Sequence, residues 1–294
     1  MKILLLGKNG QVGWELQRAL APLGELVALD RHSAEYCGDL ANLDGLRQTL
    51  RAVAPDVIVN AAAYTAVDKA ETDQATAQLI NADATRVMAE EAAASGAWLV
   101  HYSTDYVFDG TGDTPWTENS PVSPVNFYGA SKLAGEQAIE ASGCKHLIFR
   151  TSWVYGARGN NFAKTMLRLA KERETLNVIA DQFGAPTGAD LLADVVAHAI
   201  VKARADDSVS GIYHLAPAGE TSWYEYAKFV IDFAKEQGEA LVVTSVLPIP
   251  TSAYPTPAAR PLNSRMDTEK LRRGFELRLP DWKIGVVRML YEVI

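Results

Sequence analysis

Tyr128 and Lys132 stand four residues apart in the run Asn-Phe-Tyr-Gly-Ala-Ser-Lys-Leu. On a helix that spacing puts both on one face, one turn apart. An ammonium about 6 Å from a phenol, at an effective dielectric of about 20, stabilises the phenolate by roughly 3 kcal/mol, or about two pKa units below the usual value near 10. A phenol tuned in that way exchanges a proton with a carbonyl or alcohol oxygen. The pair reads as the proton donor and its helper in a carbonyl reduction, Lys132 stabilising the anion that Tyr128 leaves behind. The spacing also arises by chance in many chains, so the company it keeps matters. The run His-Tyr-Ser-Thr-Asp-Tyr-Val-Phe brings Thr104 and Asp105 to the end of a β-rich segment, where open α/β sheets bind ligands. Thr104 is placed there to hydrogen-bond the carbonyl oxygen, completing a three-residue site.

Hydride needs a carrier, and the start of the chain offers a seat for one. Gly7, Gly10 and Gly13 follow the apolar run from Ile3 to Leu6 and precede a helical pattern of Trp14, Leu16, Gln17 and Leu20. Glycines so placed permit a tight turn and let backbone N–H groups approach a pyrophosphate at a helix N-terminus. A plain strand-to-helix turn uses the same residues, but Asp30, at the end of the second β-rich run, favours a dinucleotide. Its carboxylate suits the adenosine ribose hydroxyls and so NADH, whereas Arg31 beside it can pair with the 2′-phosphate of NADPH. Asp39, Leu40, Ala62, Ala63, Tyr64 and Thr65 lie in loops at the carboxyl edge, either flanking the adenine and second ribose or serving as ordinary connections.

These residues need a frame. Ile3 to Leu6, Leu26 to Leu29, Val57 to Asn60, Trp98 to Tyr102 and His146 to Arg150 read as strands alternating with amphipathic helical stretches. That alternation predicts an α/β protein, a doubly wound parallel Rossmann sheet with right-handed crossovers and a smaller, mostly C-terminal substrate-binding lobe. The Ala-rich segment from Glu71 to Ser95 is long enough for a helix of six or seven turns, stopped near Gly96. Residues 1–150 form the dinucleotide-binding part in this reading, and residues 151–294 mainly the second lobe. The two are interleaved, because the chain returns to the first part at about 175–218, with a helix from about Gly188 to Ala203 and a strand near Ile212 to Leu215. A further helix runs from about Asn161 to Lys171. Pro248, Pro250, Pro255, Pro257 and Pro261 predict an irregular loop leading into two last helices.

The 294 residues carry 28 basic and 36 acidic side chains, a formal charge of −8, with no basic patch; that balance argues against a nucleic-acid polymer or an anionic membrane as partner. Cys37 and Cys144 are too few and too far apart for a disulfide framework or a zinc site, which points to a reducing cytoplasm. Gly7 cuts the first apolar run too short for a signal core or a membrane span.

The glycine turn, Asn60-Ala-Ala-Ala, the Ser103-Thr104-Asp105 strand end and Tyr128 with Lys132, in this order, resemble the extended short-chain dehydrogenase/reductase superfamily. Phe149-Arg-Thr-Ser-Trp-Val-Tyr-Gly, Gly159-Asn-Asn-Phe, Asp181-Gln-Phe-Gly-Ala-Pro-Thr and Ala259-Arg-Pro-Leu-Asn-Ser narrow the resemblance to the dTDP-4-dehydrorhamnose reductases. It implies reduction of the C4 ketone of dTDP-4-dehydro-6-deoxy-L-mannose to dTDP-L-rhamnose with NADPH or NADH, in the supply of bacterial surface polysaccharide. By motif it gives Gly10, Gln11, Val12, Asp30, Asp39, Leu40, Ala63, Tyr64 and Thr65 to the cofactor. Thr104, Asp105 and Trp153 go to the sugar nucleotide, and Tyr128 and Lys132 to proton transfer and the nicotinamide ribose. Trp153 reads equally as core packing, and Arg260 either clamps the diphosphate or covers the surface as a loop arginine. The resemblance further implies a homodimer and Mg2+ at the subunit contact, for which Glu15 and Asp190 are the carboxylates to test, against a reading of both as solvated surface acids. Two alternatives stay open: a nicotinamide-binding regulatory subunit without catalysis, and another sugar-nucleotide reductase, epimerase or dehydratase on the same scaffold. The presence of Thr104, Tyr128 and Lys132 opposes the first, and Tyr106 after Asp105, in place of an acid, opposes a dehydratase.

Overall fold

The computed structural model describes all residues 1–294. Its centre is a sheet of six parallel strands: β1 (Lys2–Leu6), β2 (Glu25–Leu29), β3 (Val57–Asn60), β4 (Trp98–Thr104), β5 (His146–Thr151) and the late strand Gly211–His214. The order across the sheet is Gly211–His214, β5, β4, β3, β1, β2. Each strand is short and nearly continuous in apolar character because both faces are covered. Ile3 and Leu5 of β1 share a core with Val57 and Val59 of β3, while Leu4 and Leu6 share the opposite core with Ile58. On the first face pack α1 (Gln11–Leu20) and helix Ala189–Ala205. On the other face lie α2 (Leu43–Val53) and helix Ala84–Ser95, through Leu46, Leu50, Val87 and Met88.

The chain leaves this sheet after β5 and re-enters it over residues 189–214, as helix Ala189–Ala205 and the strand beside β5. Thr175–Ile179, which the sequence reading put in that return, instead pairs in parallel with Ser245–Ile249 in the second lobe. That lobe has its own core, in which helices Phe162–Glu172, Trp223–Glu236 and Trp282–Val293 meet through Leu167, Tyr226, Val230 and Val286.

Two local expectations need correction. Pro248 lies inside the strand Ser245–Ile249, in register with Val178, rather than in an irregular loop. In a two-stranded sheet every strand has a free edge, where a residue without an N–H is tolerated. The Ala-rich helix is also not continuous: Gln74–Gln78 passes through a π turn at Leu79–Asp83 before Ala84–Ser95, which ends at Gly96 in the left-handed conformation, φ +75°. The wide turn brings Asn81 in to hold the Tyr64 backbone: its Oδ1 accepts from Tyr64 N–H at 2.9 Å, and its Nδ2 donates to Tyr64 O at 3.1 Å.

Candidate active site

The sheet order reverses between β2 and β3 around β1, and there the carboxyl ends of the strands open into a cleft of about 660 Å³. Gly7, Gly10, Gln11, Val12, Asp30, Arg31, Asp39, Leu40, Ala62, Ala63 and Thr65 line one end. Thr104, Asp105, Tyr128, Lys132 and Trp153 line the rest. Sequence reasoning therefore drew from four strand ends and the second lobe the residues that folding brings together.

The glycine turn is shaped by the lack of room. Gly7 has φ +89°, and a Cβ on it would lie 2.8 Å from Ala62 N. A Cβ on Gly13 would lie 2.0 Å from Gly7 O, so Gly13 supports the turn from below and does not line the cleft. Gly10 begins α1 with no side-chain cap, which leaves first-turn N–H groups for a ligand. Asp30 accepts hydrogen bonds from Asn9 Nδ2 and from His32 N–H, the latter at 2.8 Å and the chief reason its carboxyl sits below the ordinary range. Arg31 is exposed beside it. Tyr64 turns away from the cleft, its phenol donating to Asp73 Oδ2 at 3.1 Å, while the neighbouring Ala63 and Thr65 line the cleft.

Asn126 caps helix Phe127–Ser142, its Oδ1 accepting from Gly129 N–H at 2.8 Å, so Tyr128 sits in the first turn and points its half-buried ring at the cleft. The Tyr106 ring meets it edge-on at 5.6 Å. Burial pushes the Tyr128 phenol up to about 12; the Asp105 carboxylate adds to that rise, and the Thr104 hydroxyl opposes it. The lowering expected from Lys132 is absent. Lys132 donates instead to Tyr102 O at 2.6 Å and lies 3.1 Å from His101 Nε2, and burial pulls it down to about 8 against the charge of Glu136. The phenol is thus a weaker acid than a free tyrosine and stays protonated.

Thr104 donates to Asp105 Oδ1 at 3.1 Å, and Ser264 donates to Asp105 Oδ2 at 2.5 Å. Burial pushes the Asp105 carboxyl up to about 6, with Ser264 and Thr104 pulling the other way. Trp153 has φ +49°, uncommon for a residue with a side chain, and stacks on Trp223 with ring centroids 3.7 Å apart. Both indoles line the cleft, so Trp153 is a wall of the site rather than core packing. Arg260 does not line the cleft: it pairs with Asp68 at 2.8 Å, and its Nη1 is buried without a partner.

Glu15 and Asp190 face a different pocket, with Glu292, where Arg18 lies 3.4 Å from Glu15 and Arg288 lies 3.4 Å from Asp190. No three His, Cys, Asp or Glu side chains of one chain cluster as a metal site, so these acids do not by themselves fit a cation. Sequence reasoning missed Asn60, His101, Asn126, Trp223 and Ser264. All but Trp223 stand in the quoted runs, but nothing in the sequence tells which member turns inward.

The family model described as RmlD substrate binding domain matches residues 1–294. A dTDP-4-dehydrorhamnose reductase of Salmonella typhimurium is 61% identical over 293 residues, which cover 100% of this chain and 98% of the relative. The chain belongs to the dTDP-4-dehydrorhamnose reductase family. A Burkholderia thailandensis reductase of that name is 51% identical over 97% of each chain. Among solved structures, the dTDP-4-dehydrorhamnose reductase of Bacillus anthracis in complex with NADP superposes with a TM-score of 0.88 at 38% identity, over 99% of both chains. Within this family of reductases the fold is the Rossmann-like α/β arrangement described above. No helix is long and apolar enough to cross a membrane.

Proposed function

We propose that the chain reduces the C4 ketone of dTDP-4-dehydro-6-deoxy-L-mannose to dTDP-L-rhamnose, with hydride from NADPH or NADH and the proton from Tyr128. The observation that carries the reading is one continuous cleft lined by the glycine turn, Tyr128, Lys132, Thr104 and Asp105, in a chain 61% identical to a reductase of that name.

The residues fit a dinucleotide. Gly7 and Gly13 have no space for a side chain, the uncapped first turn of α1 offers free N–H groups to a diphosphate, Asp30 and Arg31 meet the adenosine ribose, and Asp39, Leu40, Ala62, Ala63 and Thr65 flank it. Bound there, the cofactor supplies hydride. The chain's part is positioning and proton delivery. A carbonyl oxygen gaining negative charge becomes a far stronger base than a phenolate, so a phenol near 12 gives up its proton only as the oxygen becomes alkoxide-like. Thr104 stands beside the phenol to hold the same oxygen. Asp105, fixed by Ser264, accepts from a sugar hydroxyl, and the Trp153 and Trp223 indoles wall the second-lobe side.

The same reading places the reaction in the cytoplasm, in the supply of activated rhamnose for surface polysaccharide, with the chain working as a homodimer. A cation at the Glu15 and Asp190 pocket would need oxygen ligands from a second copy or from water.

The test is NADPH oxidation with the 4-keto sugar nucleotide. One NADPH consumed per dTDP-L-rhamnose formed supports the proposal. Cofactor binding without consumption favours a regulatory subunit, and turnover without net consumption favours an epimerase.

A further inference from the structure

Asn60, His101 and Lys132 form a buried line across β3, β4 and helix Phe127–Ser142, and its hydrogen-bond polarity can be read from one end. Asn60 Oδ1 accepts from Ala62 N–H at 3.1 Å, which fixes the side-chain amide. Asn60 Nδ2 then faces His101 Nδ1 at 3.1 Å, and an amide N–H needs a lone pair there. A neutral imidazole has one N–H and one lone pair, so the ring proton sits on Nε2. That nitrogen lies 3.1 Å from Lys132 Nζ, which also donates to Tyr102 O at 2.6 Å.

An ammonium has three donors and no acceptor, so it would meet the His101 N–H donor to donor. A neutral amine satisfies every contact: one N–H to Tyr102 O, the lone pair to His101 N–H, and one N–H left for the cleft. The groups around the line agree. Asn60 from β3 and the Tyr102 carbonyl from β4 are uncharged, as are Tyr128 and Ser131 from the helix, the latter accepting from Asn81 Nδ2 at 3.0 Å. The carboxylate whose charge acts on Lys132, Glu136, is occupied by Arg150 of β5 in a buried pair at 2.6 Å. Burial also lowers both Lys132 and His101.

We propose that His101, keyed by Asn60, is a positioning residue that favours the neutral amine of Lys132 in the free enzyme, so that in alkaline solution cofactor binding in the cleft is coupled to uptake of one proton from solvent by Lys132. The proposal rests on the reading above only in giving Lys132 a charged role once the cofactor is bound.

The chain has five histidines, so 15N-histidine labelling resolves the tautomers, with the His101 signals identified by their loss in His101→Gln. An Nε2–H tautomer in the free wild-type protein above pH 8 supports the proposal; an Nδ1–H tautomer or an imidazolium there overturns it. The second arm is calorimetric titration of the full-length, cofactor-free protein with NADPH in two buffers of different ionisation enthalpy. Wild type should take up close to one proton per NADPH above pH 8, with affinity falling about tenfold per pH unit there. In His101→Gln an amide oxygen can accept from the ammonium. In Asn60→Asp a carboxylate accepts from Nδ1–H and turns the Nε2 lone pair to the lysine. Both should move the onset of that fall upward by about one pH unit or more. Folded variants that keep the wild-type onset overturn the proposal, since a merely structural role would weaken binding equally at all pH values. If NADPH fails to bind wild type at any pH, the reductase reading falls, and the tautomer measurement alone decides the role of His101.

Discussion

Ser264 donates its hydroxyl to Asp105 Oδ2 at 2.5 Å, which ties a residue near the end of the second lobe to the turn that follows β4. The hydrogen bond links the position of the second-lobe segment to the charge of a buried carboxyl, and that link has a sign. Asp105 titrates at about 6, above the ordinary carboxylate range, so the native state binds its proton more tightly than the unfolded chain does. Its titration therefore adds stability at low pH that is lost as pH rises through about 6. In the proposed reaction the sugar, in contrast, is held by the ionised form as acceptor. Hence kcat/KM for the sugar nucleotide should fall as pH drops through about 6. Ser264→Ala removes a donor to the anion and should start that fall at higher pH, whereas Asp105→Asn should flatten it. A pH profile of kcat/KM for the three proteins checks the assignment.

Gly13→Ala should weaken NADPH more than about tenfold, because its Cβ would meet Gly7 O at 2.0 Å and backbone cannot swing aside as a side chain can. Equilibrium titration with NADPH measures this. The variant should keep its fold, since the clash is confined to the turn.

Arg31→Gln should weaken NADPH more than NADH, by about 1–2 kcal/mol, because the lost partner is the 2′-phosphate and Asp30 is held independently by Asn9 and His32. Dissociation constants for the two cofactors give the ratio directly. Equal losses would remove Arg31 from the discrimination.

Glu136→Gln should destabilise the protein by about 3–5 kcal/mol, since it leaves the buried Arg150 guanidinium without its carboxylate. Urea unfolding monitored by tryptophan fluorescence reports it. The Glu136 and Arg150 pair braces the helix of Tyr128 against β5, so the cofactor affinity of the folded fraction should change less than the stability does.

The frame was legible in the sequence because it obeys short-range rules. Strands buried on both faces are apolar runs, as β1 and β3 are, and the glycine turn is marked by Gly7 and Gly13, where a Cβ would meet backbone. Tyr128, Lys132, Thr104 and Asp105 could be grouped because each follows a strand end or shares a helix turn. What stayed hidden depends on contacts across the fold. The partner of Lys132 is set by where β4 presents His101, the partner of Asp105 comes from 159 residues away, and the π turn at Leu79–Asp83 has no local signature in an Ala-rich run. The direction of the Tyr128 shift was misread for the same reason: spacing places a lysine near a phenol but does not say which group the lysine bonds.

Tyr128→Phe tests the central claim most directly, because it deletes one hydroxyl and keeps the ring that packs on Tyr106. Single-turnover reduction of the 4-keto sugar nucleotide, measured beside NADPH affinity, should show a rate lower by about 10²–10⁴-fold with binding changed less than about twofold. A near-normal rate in that variant would contradict Tyr128 as the proton donor.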